Sequence, residues 1–113
     1  MITLKGNALS TNHIYKRHGF TIYMSAEGKA LKESYQWEIT SQWKDKIIYG
    51  NISVEIKLFF GDKRKRDVDN YNKLILDAMS GIVYLDDKQI QKITIEKLFD
   101  KSNPRAEIII KKI

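Results

Sequence analysis

A chain of 113 residues with 42% apolar and 30% charged side chains has the composition of one folded domain, which excludes wholesale disorder, a collagen-like repeat and two domains with separate cores. The absence of cysteine excludes a disulfide framework, a thiolate metal site and a cysteine nucleophile. Twenty Lys and Arg against fourteen Asp and Glu leave a charge of +6, which favours a polyanionic partner over a neutral one.

The apolar runs, residues 108–110 among the longest, fall far short of the ~20 residues of a membrane helix, and no charged-then-apolar leader opens the chain. A cytoplasmic protein with no membrane partner is the expectation. Residues 1–5 and 19–24 predict short strands, and the polar stretch 10–17 between them reads as a loop. Ser25 can cap a helix with Glu27 near its positive end, running to about Lys46 with Leu31, Tyr35, Ile39 and Trp43 at i,i+4 spacing. From 52 to 60 the apolar side chains fall on even positions and Ser53, Glu55 and Lys57 on odd ones, the period of a half-buried strand, which Gly61 ends. VDNYNKLILDAMSG then reads as a second helix, with Val68, Tyr71, Leu74 or Ile75 and Ala78 on one face, Asp69, Lys73 and Asp77 on the other, and Gly81 as the stop. Residues 90–99 and 106–113 read as strands joined by a turn at 101–105. The order ββαβαββ predicts a single α+β domain, two helices on a mixed or mostly antiparallel sheet.

Six of the eight aspartates lie between positions 62 and 87, and the basic run Lys63, Arg64, Lys65, Arg66 lies among them. Crowded carboxylates repel, so they persist where basic side chains or a divalent metal neutralise them. Asp67 and Asp69 sit at the start of the second helix, and the turn after it returns Asp86 and Asp87. Hard oxygen ligands of this kind suit Mg²⁺ or Mn²⁺, which can generate a hydroxide nucleophile and offset charge at phosphorus during phosphodiester hydrolysis. Lys73 can add a fixed positive charge beside the same phosphate. Each element also has a plain structural reading. Asp67 and Asp69 suit a helix start, Asp86-Asp87 an ordinary turn, the basic run a solvated strand end, and Lys73 an i,i+4 pair with Asp77 or a pair with Asp69. His13 and His18 read as loop or DNA-facing groups rather than metal ligands, and Trp37 and Trp43 as core or interface residues.

The segment DKRKRDVDNYNKLILDAMSGIVYLDDKQI, residues 62–90, resembles the core motif of the RusA-type Holliday junction resolvases: a basic run, D-x-D-N, a lysine one turn on, an aliphatic helix ending in D-A, and D-D-x-Q-[IV]. S-x-N-x-x-Y (Ser10, Asn12, Tyr15) and SAEGKA (residues 25–30) are similar to the family's amino-terminal half, so the likeness covers about half the chain. It implies a RusA-like fold and a magnesium-dependent endodeoxyribonuclease of bacterial, prophage or phage origin, acting as a homodimer on four-way DNA junctions with paired symmetric nicks. Mn²⁺ is a possible substitute, and no small-molecule cofactor is implied. Asp67, Asp69 and Asp87 hold the positions of the family's catalytic acids and Lys73 that of its functional lysine, with Asp86 a further metal ligand. Lys63, Arg64, Lys65, Arg66, Asn12, Tyr15, Lys16, Arg17 and Asn70 are the expected DNA contacts. Two departures stand out: Ala8-Leu9 replaces a frequent Pro-Pro pair, and the turn 79–85 is compact. The alternatives are a non-catalytic binder of structured DNA and a metal-dependent nuclease of other branched nucleic acids or RNA.

Overall fold

The alternation over residues 52–60 produces the central strand of the molecule. In the computed structural model, which describes Met1–Ile113, strand β4 (Ile52–Phe60) buries all five even-numbered side chains and leaves the odd ones half-exposed. Its neighbours are β6 (Arg105–Lys112), antiparallel, and β5 (Ile90–Phe99), parallel, while β1 (Ile2–Lys5) pairs antiparallel with β6 to give the order β1-β6-β4-β5. The sheet is mixed, as expected. Strands β5 and β6 are consecutive yet do not pair, because residues 100–104 carry the chain across the end of β4, where Asp100 N–H bonds Phe60 O at 2.9 Å.

The free edge of β1 is blunted by side chains of the long helix α2 (Ala26–Gln42). Gln42 accepts from Thr3 N–H and donates to Thr3 O, both at 2.7 Å, and Glu38 accepts from Lys5 N–H at 3.0 Å. These bonds satisfy the edge as a further strand would. The opposite edge, β5, has no such cover, and Ile93 and Phe99 on it are 39% and 46% exposed.

The even face of β4 packs against Tyr35 and Ile39 of α2, against Leu74, Ile75, Ala78 and Met79 of helix α3 (Lys73–Met79), and against Val83 and Tyr84 just beyond it, in one core. Ser25 caps α2 as expected, its hydroxyl accepting from Gly28 N–H at 3.0 Å. The helix stops four residues before Lys46, because Trp43 leaves helical geometry (φ −85°, ψ 103°) to pack against the core.

Two elements depart from the sequence expectations. Residues 10–17 are not a loop. Ser10 Oγ accepts from His13 N–H at 3.3 Å and caps a single helical turn, α1 (Thr11–Ile14), which runs straight into β2 (Tyr15–His18); β2 pairs antiparallel with β3 (Thr21–Met24) as a separate two-stranded sheet. Ile14, the lone apolar side chain in that polar stretch, is buried beneath Gly28, where an added Cβ would stand 2.6 Å from Ile14 Cγ2 and 3.0 Å from Met24 Cγ. Gly28→Ala is therefore expected to cost about 1–3 kcal/mol, the usual penalty for overpacking, in chemical denaturation. The second departure is the predicted second helix, which splits into a 3₁₀ turn (Val68–Asn70) and α3, separated by Tyr71 and Asn72. Tyr71 has φ −127° and packs edge-on against the Phe60 ring, centroids 5.2 Å apart. Three helices are present rather than two.

Candidate active site

The split helix decides where the acids stand. Asp69 lies on the 3₁₀ turn, Lys73 and Asp77 on successive turns of α3, and Asp87 opens a second 3₁₀ turn, Asp87–Gln89. These four line one open cavity of about 360 Å³, together with Thr11, Asn70, Asn72 and Leu76. Asp77 is the acid tied most firmly into it. Its carboxylate accepts from the Tyr15 hydroxyl and lies 3.3 Å from Lys73 Nζ, which itself stands 4.8 Å from the centre of the Tyr15 ring. Partial burial first, and then the bond to Asp77, push the Tyr15 hydroxyl well above its ordinary range, so it stays a donor. Thr11 Oγ1 donates to Asn70 O at 3.1 Å, a second bond from the amino-terminal segment to the acid-bearing one.

Sequence reasoning expected Asp67, Asp69, Asp86 and Asp87 as one ligand set with Lys73 beside it. The structure brings Asp69, Asp87 and Lys73 together, leaves Asp67 and Asp86 outside the cavity lining, and adds Asp77. Because Asp69 lies on a 3₁₀ turn, with Asp67 in extended geometry just before it, rather than on the first turn of a long helix, the two do not share one helix face with Lys73. As placed, no three Asp, Glu or His side chains stand close enough to grip one ion directly. Asp77 was legible as an i,i+4 partner of Lys73, but its bond to Tyr15, 62 positions away, was not.

The capping roles that compete with a functional reading divide cleanly. Asp67 opens the 3₁₀ turn with no side-chain capping bond, and Asp69 holds no side-chain hydrogen bond either, so local structure does not absorb this pair. Asp86 does act as a cap: it accepts from Lys88 N–H at 2.9 Å, and Gln89 Oε1 returns to accept from Asp86 N–H at 3.1 Å. The Gln89 amide also donates to Ile48 O and Gly50 O, both at 2.9 Å, so this glutamine pins the loop that presents Asp87. Asp86 is held below the usual carboxylate range by the Lys88 backbone N–H. Asp87 is pushed above it, first by its hydrogen bond with Asp86, then by burial and the Asp86 and Asp77 charges, with Lys73 opposing.

The basic run is less free than its composition suggests. Arg66, its side chain 8% exposed, bonds both Asp62 oxygens at 2.9 and 3.3 Å and stacks 4.1 Å from the Phe60 ring centre. Arg64 lies 3.5 Å from Asp62 and Lys63 sits 5.0 Å over the Phe99 ring, which leaves Lys65 as the one cation of the run without a partner. Of the other expected DNA contacts, Asn12, Lys16 and Arg17 are exposed, Asn70 lines the cavity and Tyr15 is engaged with Asp77. His13 pairs with Glu27 at 2.6 Å; Trp37 is 74% exposed, and Trp43 is half-buried with Nε1 unpartnered.

The Arg66 and Arg64 contacts lower the Asp62 carboxyl from 3.8 to about 2. A depressed carboxyl stabilises the fold above its unfolded value and loses that contribution as pH falls through the folded one. The loop 61–67 is therefore expected to stay ordered at pH 4 and loosen toward pH 2, seen as a loss of protection of the Arg64 amide relative to its intrinsic exchange, while Asp62→Ala leaves that amide unprotected at both.

Comparison with known proteins places this chain among the endodeoxyribonucleases. Residues 7–111 match the family Endodeoxyribonuclease RusA, and the chain belongs to that family. The Crossover junction endodeoxyribonuclease RusA of Escherichia coli (strain K12) is 28% identical over 102 residues, covering 89% of this chain and 85% of the relative. The protein of the same name from Enterobacteria phage 82 matches to the same extent. The Uncharacterized protein YqaN of Bacillus subtilis (strain 168) is 25% identical over 109 residues, covering 78% of this chain and 76% of the relative. These relatives are bacterial and phage proteins, and no helix here is long and apolar enough to cross a membrane.

Proposed function

We propose that this protein is a magnesium-dependent endodeoxyribonuclease that resolves four-way (Holliday) junctions, as a homodimer, by symmetric nicks in two opposed strands. The observation that carries the reading is the shared cavity of Asp69, Asp77, Asp87 and Lys73, whose Asp69 has no structural partner and whose Asp87 is disfavoured as an anion by its acidic neighbours. Family membership and the names of the E. coli and phage relatives supply the substrate.

The donor set fits a hard divalent cation. Mg²⁺ commonly binds through one or two carboxylates, keeps several waters and takes phosphate oxygens from the substrate. That suits acids spread around an open cavity better than a tight cage would. Asp69 and Asp87 are the residues that would hold it, with Asp67 and Asp86 close in sequence as further ligands. When bound, Mg²⁺ (or Mn²⁺) supplies a hydroxide nucleophile and offsets charge at the phosphorus. The chain's own groups do the positioning. Asp77 and the Tyr15 ring hold Lys73 Nζ at the cavity wall, where its charge meets a phosphate, and the hydroxyl of Tyr15 keeps Asp77 turned toward the lysine. Lys65, Lys16 and Arg17, all exposed, gather the flanking phosphates.

The uncovered edge of β5, ten residues long with Ile93 and Phe99 exposed, is the surface that supports a dimer. A dimer would present two cavities to two opposed strands.

One observation favours a non-catalytic binder of structured DNA: the acids are not gathered within direct grip of a single ion. Competition separates the readings. Labelled four-way junction is challenged with unlabelled junction, duplex and hairpin RNA in Mg²⁺. The proposal expects junction alone to compete efficiently and to be cut. Binding without cutting supports the non-catalytic reading, and efficient competition by the RNA supports a nuclease of other substrates.

A further inference from the structure

The β2–β3 hairpin stands apart from the main sheet and rests on the core only at its base, through Tyr15 and Met24. Its tip is Gly19-Phe20, with Gly19 at φ 61°, the left-handed conformation a tight turn requires. Phe20 is fully exposed at 105%, and Ile22 and Tyr23 follow at 65% and 50%. Between Tyr15 and Met24 the chain carries Lys16, Arg17 and His18 and no acid. The register sets the faces: Arg17 pairs with Ile22 on the same side as Tyr15 and Met24, the side whose Tyr15 hydroxyl bonds Asp77 in the cavity. Lys16 pairs with Tyr23 on the other side. The arm is thus basic along both faces, aromatic at its end and fixed to the candidate active site at its root.

A large aromatic held fully in water by a tight turn gains nothing within this chain. Charge complementarity identifies its occupant as nucleic acid rather than an apolar protein groove, because cations flank it on both faces. Four residues at about 3.4 Å each set the tip about 14 Å beyond Tyr15, a span of about four base steps. Apolar side chains on such arms can enter a base step and unstack it, and a branch point offers a step already open.

We propose that Phe20 is a wedge that enters a base step at the junction centre and separates its bases, stacking on one of them, with Lys16, Arg17 and His18 held against the neighbouring phosphates. This deepens the junction-resolving reading and rests on it. The test uses the full-length protein in chelator, so that cutting plays no part, with a four-way junction carrying 2-aminopurine at the crossover and a matched duplex. Wild-type protein is expected to prefer the junction and to raise its fluorescence. Phe20→Ala, which removes no contact within the protein, is expected to lose that rise, to bind the junction about 5- to 150-fold more weakly, as for one lost base–aromatic stack, and to bind duplex unchanged. Phe20→Trp is expected to restore the preference. Equal fluorescence and junction preference in wild type and Phe20→Ala overturn the wedge. So does sedimentation that shows Phe20→Ala turning a dimer into monomers, since the tip would then be a subunit contact. Wild-type protein that binds junction no better than duplex overturns the junction reading itself, and the wedge with it.

Discussion

Asp69→Asn and Asp87→Asn are each expected to bind a four-way junction as the wild type does while magnesium-dependent cleavage falls at least a hundredfold. The floor comes from metal sites in general, where loss of a mere supporting hydrogen bond costs about 10–100-fold and loss of a ligand costs more. Neither change should harm the fold. Both side chains are exposed, and Asp69 holds no hydrogen bond that the amide would break. Binding is also expected to hold or improve slightly, since each substitution removes a negative charge from a surface that meets phosphate. Electrophoretic mobility in chelator reads the first quantity and single-turnover cleavage in Mg²⁺ the second. Full cutting activity in both variants would show that the cavity is not where the reaction occurs. Asp86→Asn makes an informative companion, because Asp86 already serves its 3₁₀ turn, and an Asn there can still accept from Lys88 N–H.

Lys73→Met is expected to lower single-turnover cleavage by about 10²–10³, the usual cost of removing one fixed donor from a developing negative charge. The methionine keeps an unbranched side chain of similar length and removes the ammonium that stands over the Tyr15 ring. Stability should scarcely change, because the Lys73–Asp77 pair is largely exposed on the lysine side and such i,i+4 pairs contribute only about 0.3–0.5 kcal/mol. Junction affinity should fall by less than tenfold, as for one phosphate contact among several. A loss confined to affinity, with the cleavage rate of the bound complex unchanged, would make Lys73 a binding residue and nothing more.

Much of this arrangement was legible in the chain. The period-two run of β4, the Ser25 cap of α2, and the mixed α+β class follow from local pattern, because each is set by side chains within a few residues of one another. The contraction of residues 10–18 into a helical turn and a hairpin strand was not legible, since its only apolar signal is Ile14, and what buries Ile14 is Gly28 on another element. The predicted second helix failed for a related reason. Tyr71 has helical spacing with Val68 and Leu74, but its ring is taken by Phe60 of β4, and the helix breaks to allow it.

The site shows the same division. The grouping of acids and cations along residues 62–87 is written in one dimension, so Asp69, Lys73 and Asp87 could be named from sequence. Which cations are free could not. Arg66 reads as a phosphate contact until its Asp62 and Phe60 partners are seen, and Asp77 reads as a helix-surface acid until Tyr15 is seen beside it. Both depend on pairings across elements that periodicity does not encode.

The most direct measurement uses one four-way junction in two preparations, each labelled on one of two opposed strands, incubated with the protein in Mg²⁺ and in chelator. Nicks at symmetry-related positions in both strands are expected with Mg²⁺ and none in chelator. Cleavage that persists in chelator, or an intact junction in Mg²⁺ despite stable binding, would contradict it.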